Sequence, residues 1–181
     1  MYNLEYIKKL TSEYEEKIIK HFKEFFNELI KEDKIAVKDR KINIVKLKGH
    51  DDVKDLYNNA GFYVILTDYK LNNNKCKFKY KYSDNKYVKA VYRGEASHRK
   101  ERITGHLFKD KYEGKDTNFM TVGSENGINI DKQPYCNYSW CVLMCSMDKS
   151  NQQVRICVEK AFDSVFGQPI YINKWEFNNF E

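Results

Sequence analysis

The chain is poor in the residues that punctuate or staple a fold. It holds two prolines and eight glycines among 181 residues. Its apolar runs all fall well short of the roughly 18 residues needed to span a bilayer, so no membrane partner is expected. The opening "MYNLEYIKKL" lacks the apolar core of a secretory signal, and a cytoplasmic location is the expectation. Five cysteines form neither a CxxC pair nor a regular framework. Cys136, Cys141 and Cys145 are near neighbours, but their spacing is unlike a zinc knuckle and no histidine sits beside them. Buried, reduced thiols are expected instead. The four histidines are scattered, and glycine-rich P-loop and dinucleotide-binding patterns are missing. There is no internal repeat and no low-complexity tail.

What the chain does have is aromatic and basic. Aromatic residues make up 15% of it, 14 of them tyrosine, and the formal net charge is +6. Tyrosine fills a core while keeping a polar tip. The positive excess suits an anionic partner, nucleic acid before membrane. The length fits one domain with some decoration.

Residues 4 to 32 space apolar side chains by threes and fours, from Leu4 and Ile7 to Phe26 and Leu29, and predict one amphipathic helix, or two if Ser12 and Glu15 form a capping box, packed on the domain. "KINIVKL", Lys41 to Leu47, alternates like a strand, and "DDVKDLYNNA" reads as a short helix leading to a buried strand, "GFYVILTDY". "NKCKFKYKYSDNKYVKAVYRG" reads as two alternating segments around an "SDN" turn, a hairpin. A helix follows from about Ser97 to Phe108, and residues 109 to 138 read as a long loop or insertion. "SWCVLMCSM" predicts a strand, and "NQQVRICVEKAFDSVFG" a helix ended by glycine. This order implies an α+β fold: a small mixed, largely antiparallel sheet flanked by helices. Residues 1 to 50 are expected as an N-terminal helical extension and strand, and residues 51 to 181 as the main domain.

Several motifs then fall in one order. "GFY" (Gly61, Phe62, Tyr63) opens one strand and "YRG" (Tyr92, Arg93, Gly94) closes a later one. Arg102 and His106 follow on a helix, Glu159 lies in a late helix, and Asn173 follows "PIYI". This pattern resembles the GIY-YIG nuclease superfamily from Gly61 to Asn173, with residues 109 to 138 unmatched. The resemblance implies a catalytic set of Tyr63, Tyr92, Arg102, His106, Glu159 and Asn173, with Glu159 holding Mg²⁺ or Mn²⁺. Arg93 departs from it, since the middle residue of "YIG" is usually apolar.

The residue chemistry is compatible. Phosphodiester cleavage needs an activated water, a counter-charge on phosphoryl oxygens and help for the leaving oxygen. One phenol could serve as base if a nearby cation brought its pKa below the usual value of about 10; for any tyrosine the ordinary alternative is a packed core ring. The guanidinium of Arg102 suits a phosphate, and Arg102 and His106, four apart, share a helix face. Glu159 interrupts a rather apolar helix, where a carboxylate needs an ionic partner. Arg93, Arg99, Lys100, Lys77 and Lys79 are the expected DNA contacts. "EGK" at Glu113 to Lys115 fits a PD-(D/E)xK site poorly, because Asp110 is too close.

The expected function is a metal-dependent DNA endonuclease. No appended DNA-reading module is apparent, so a type II restriction enzyme is favoured over a phage, mobile-element or repair nuclease. Cutting both strands at once needs two centres, so a homodimer, or sequential nicking by one centre, is expected. The alternatives are a non-catalytic nucleic-acid-binding module of the same fold, or an interaction protein built on the N-terminal helix.

Overall fold

Every strand pairing is antiparallel, so the sheet expected to be mixed has no parallel pair among the described residues. The structure is a computed structural model, and the residues it describes are 3–31, 42–108 and 128–170. Helix α1 (Leu4–Lys31) precedes strand β1 (Ile42–Leu47), and a 3-10 turn at His50–Asp55 leads to β2 (Gly61–Thr67). The hairpin β3 (Lys79–Ser83) and β4 (Lys86–Ala96) feeds helix α2 (Arg99–Leu107). Strand β5 (Trp140–Ser146) and helix α3 (Gln152–Phe166) complete the order. The strands lie β1-β5-β2-β4-β3 across the sheet.

Strand β2, wholly buried, has β5 on one side and β4 on the other, as its unbroken apolar run requires. The edge strand β3 alternates exposed Lys79 and Lys81 with half-buried Tyr80 and Tyr82. Lysines on an edge discourage pairing with another sheet. "SDN" makes the β3–β4 turn, with Ser83 opposite Lys86.

Two cores lie on opposite sides of the sheet. On one, Phe62, Val64, Leu66, Val88 and Ala90 meet Val158, Phe162 and Phe166 of α3 and Phe26 of α1. Phe26 and Phe162 meet edge to face, their centroids 5.5 Å apart, and burying such a ring contributes about 1.5–3 kcal/mol. On the other, Tyr63, Ile65, Val91, Tyr92 and Val142 meet Ile103 and Leu107 of α2. The side chain of Asn151 caps α3 by accepting from the Val154 amide at 2.9 Å.

The N-terminal segment is less of an extension than its sequence implies. Strand β1 pairs with β5 over six residues, and Phe26 is buried in the α3 core. The first half of α1 differs, because Leu4, Tyr6, Ile7, Leu10 and Tyr14 are all exposed. The helical period is therefore right throughout, but only the second half of α1 uses it for packing.

Candidate active site

A bulge decides which side chains can meet. In β4, Val88 and Ala90 point to the α3 side, and strict alternation would send Tyr92 after them. The register instead matches Ile65 with Tyr92 and Leu66 with Ala90, leaving Val91 as an extra residue. Val91 and Tyr92 both turn to the α2 side. Bulges re-aim side chains in this way. Tyr92 becomes the diagonal neighbour of Tyr63, with ring centroids 6.0 Å apart.

Gly94 is directly opposite Tyr63. A Cβ there would stand 2.7 Å from the Tyr63 hydroxyl oxygen and 2.9 Å from Cε1 of Tyr92. The bare backbone thus makes room for both rings. Helix α2 supplies His106, whose Nε2 is 2.9 Å from the Tyr63 hydroxyl and whose ring centroid is 4.3 Å from that of Tyr92. All three side chains are fully buried.

Burial governs their protonation. It pushes the Tyr63 phenol well above its ordinary value, with the neighbouring Tyr92 adding to the rise and the Arg102 guanidinium opposing it. Tyr92 is pushed up for the same first reason, again against Arg102. The expectation that a cation would bring one phenol below its usual range is therefore overturned, because desolvation outweighs the guanidinium. His106 moves the other way: burial, then repulsion from Arg102, holds its imidazole well below the usual 6.5. At neutral pH the cluster is two phenols and a neutral imidazole, and Arg102, half-buried, is its most exposed member.

The other expected site residues are elsewhere. Glu159 is on α3, across the sheet from Tyr63 and Tyr92, and Nη1 of Arg93 donates to its Oε2 at 2.7 Å. Its charge still reaches both phenols and raises them further. Arg93 also grips Asp163, donating from Nε to Oδ1 at 3.1 Å and from Nη2 to Oδ2 at 2.7 Å. With 4% exposure Arg93 is held by these carboxylates, where the sequence expectation had it on an open face reaching DNA. Asp163 was missed by sequence reasoning, although its place one turn after Glu159 on the same helix face was a usable signal.

Arg99 is likewise corrected. It is fully buried, donating from Nε to the Asn59 carbonyl at 2.9 Å and from Nη2 to the Ser146 hydroxyl at 2.9 Å. A Cβ on Gly61 would run into this guanidinium and the Cys145 carbonyl. Arg99 therefore ties the start of α2 to the ends of β2 and β5. Lys77 and Lys79 are exposed and Lys100 is half-buried, so all three remain available to an anion. Asn173 lies outside the described residues, as do residues 109–127 of the expected insertion. A cavity of about 620 Å³ beside α2 is lined by Lys54, Lys100, Thr104 and His50 among others.

Glu159, the expected metal ligand, is engaged by another group: its carboxylate already holds the Arg93 guanidinium. Among the described residues no group of three or more His, Cys, Asp or Glu is placed to hold a metal ion. Burial pushes the thiols of Cys141 and Cys145 up to about 12, as expected of buried, reduced cysteines.

The fold and the cluster together define a small α+β protein with a buried Tyr-Tyr-His group under an arginine. No protein-family model matches the chain, and no curated protein or solved structure matches it.

Proposed function

We propose that the protein hydrolyses phosphodiester bonds in DNA, with Tyr63, Tyr92, Arg102 and His106 as its working groups. The observation that carries this reading is the convergence of two phenols and an imidazole from β2, β4 and α2, with the Arg102 charge acting on all three. Environments that push titratable groups in opposite directions assign acid and base. The neutral imidazole of His106 is the proton acceptor, and the phenols are the donors. In the proposed step a water oxygen bonds to phosphorus and gives its proton to His106. The bond from phosphorus to the leaving oxygen breaks as that oxygen takes the Tyr92 proton, and the His106 proton returns to Tyr92 through Tyr63. Arg102 offsets the charge on the phosphoryl oxygens. Lys100, Lys54, Lys77 and Lys79 supply sequence-independent contacts to the DNA backbone. No step uses a metal at Glu159.

The test incubates plasmid DNA with the full chain, in Mg²⁺ and in EDTA. Nicking or linearisation is expected, reduced by about 10²–10⁴-fold in His106→Gln and in Arg102→Ala. DNA binding without cleavage under either condition would end this reading and favour the second one, a non-catalytic nucleic-acid-binding module. The observation favouring that second reading is the complete burial of all three ring side chains.

A further inference from the structure

Strand β4 carries a buried cation between two residues of the tyrosine cluster. Arg93 separates Tyr92 from Gly94, and alternation turns its side chain through the sheet to α3. There it meets two carboxylates four positions apart on one helix face. All three of its nitrogens reach these carboxylates: Nη1 on Glu159 at 2.7 Å, and Nε and Nη2 on Asp163 at 3.1 and 2.7 Å. The Arg93 and Glu159 side chains are 4% and 7% exposed, and Asp163 is 21% exposed.

Two carboxylates this close repel each other and need a counter-ion when water is scarce. The pair is the kind of oxygen donor set that a hard divalent cation takes, usually with waters filling the remaining positions. A metal about 2.0–2.1 Å from these oxygens would lie against the guanidinium nitrogens and be repelled by their charge. Guanidinium and metal are alternatives at one place. We propose that Glu159 and Asp163 form a divalent-cation site for which Arg93 is the resident cation, so that the wild-type protein binds no Mg²⁺ or Mn²⁺ there and loss of the guanidinium opens the site. This deepens the proposed function by removing metal from it. It rests on the ion-pair geometry, and its test uses no DNA, so its failure is distinct from failure of the hydrolase reading.

The experiment titrates the full chain with Mn²⁺, reading bound ion by electron paramagnetic resonance and stability by thermal unfolding, with Mg²⁺ and EDTA as further arms. For wild type the expected result is no bound Mn²⁺ and a Tm indifferent to metal or EDTA. Arg93→Gln is expected to have a lower Tm in EDTA, to bind one Mn²⁺ and to regain Tm as Mn²⁺ rises. Adding Glu159→Gln and Asp163→Asn to that variant should abolish both responses. The inference is overturned if wild type binds Mn²⁺ and Glu159→Gln removes the binding. It is also overturned if Arg93→Gln folds yet takes up no Mn²⁺. Should Arg93→Gln not fold, the wild-type and Glu159→Gln arms decide alone.

Discussion

The Tyr63 hydroxyl and His106 Nε2 stand 2.9 Å apart, both fully buried, beside a guanidinium that repels a second positive charge. The sign of the resulting pH effect is fixed. His106 is harder to protonate folded than unfolded, so below the unfolded value of 6.5 the unfolded chain gains a proton that the folded chain refuses. Stability contributed by this residue is therefore present above about pH 6.5 and lost as pH falls toward the folded pKa, at about 1.4 kcal/mol per unit. In His106→Gln that loss disappears. Urea unfolding of both proteins at about pH 7.5 and about pH 5.5 should show the stability difference shifting in favour of the variant by up to about 1.4 kcal/mol. An unchanged difference would mean that His106 titrates normally.

Much of the architecture was legible in the sequence because it depended on local period. The run "GFYVILT" had to be a buried strand, and "SDN" between alternating segments had to be a hairpin; both are so. The pairing of Tyr63 with Tyr92 was expected from neighbouring strands, but the cause was not visible. Only the break in alternation at "AVY" hinted at the bulge that turns Tyr92 toward α2. The fates of Arg93 and Arg99 were not legible. Their partners lie 66 to 70 and 40 to 47 positions away, and a basic side chain on an alternating strand or a polar helix reads as solvated until those partners are placed. The direction of the phenol shifts was hidden for the same reason. It depends on desolvation, a property of the whole packed core rather than of any motif.

Gly94→Ala tests the seating of the two rings. Its Cβ would fall within 3.0 Å of atoms of both Tyr63 and Tyr92, so a ring or the strand must move. Overpacking of this kind costs about 1–3 kcal/mol. The expected outcome is that loss in chemical denaturation, with a changed tyrosine near-ultraviolet circular dichroism signal and an unchanged far-ultraviolet one. A fully wild-type tyrosine signal would show that the glycine is not needed for space.

Arg99→Lys tests whether the α2 clamp needs a fork or only a charge. The guanidinium serves the Asn59 carbonyl and the Ser146 hydroxyl from different nitrogens. A lysine ammonium lacks that planar spread, and a buried acceptor left without a charged donor costs about 1.5–3 kcal/mol. The substitution should therefore lower stability by about 2 kcal/mol despite conserving charge. A loss below about 0.5 kcal/mol, the range of ordinary surface changes, would show that position 99 is a surface cation in solution.

The two halves of α1 should respond oppositely to the same kind of truncation. Phe26 is almost fully buried and touches the rings of Phe62, Phe162 and Phe166, with centroids 5.5 to 5.9 Å away. Removing it leaves a cavity between α1, α3 and the sheet, and Phe→Ala in such a place costs about 3–5 kcal/mol. Leu10 is 47% exposed, and Leu10→Ala should change stability by less than about 0.5 kcal/mol. Both values come from urea unfolding at a protein concentration low enough to keep the chain monomeric. A small loss at Phe26 would detach α1 from the core and restore the simple extension that the sequence suggested. A large, concentration-dependent loss at Leu10 would mean that its exposed apolar face is covered by a second copy in solution.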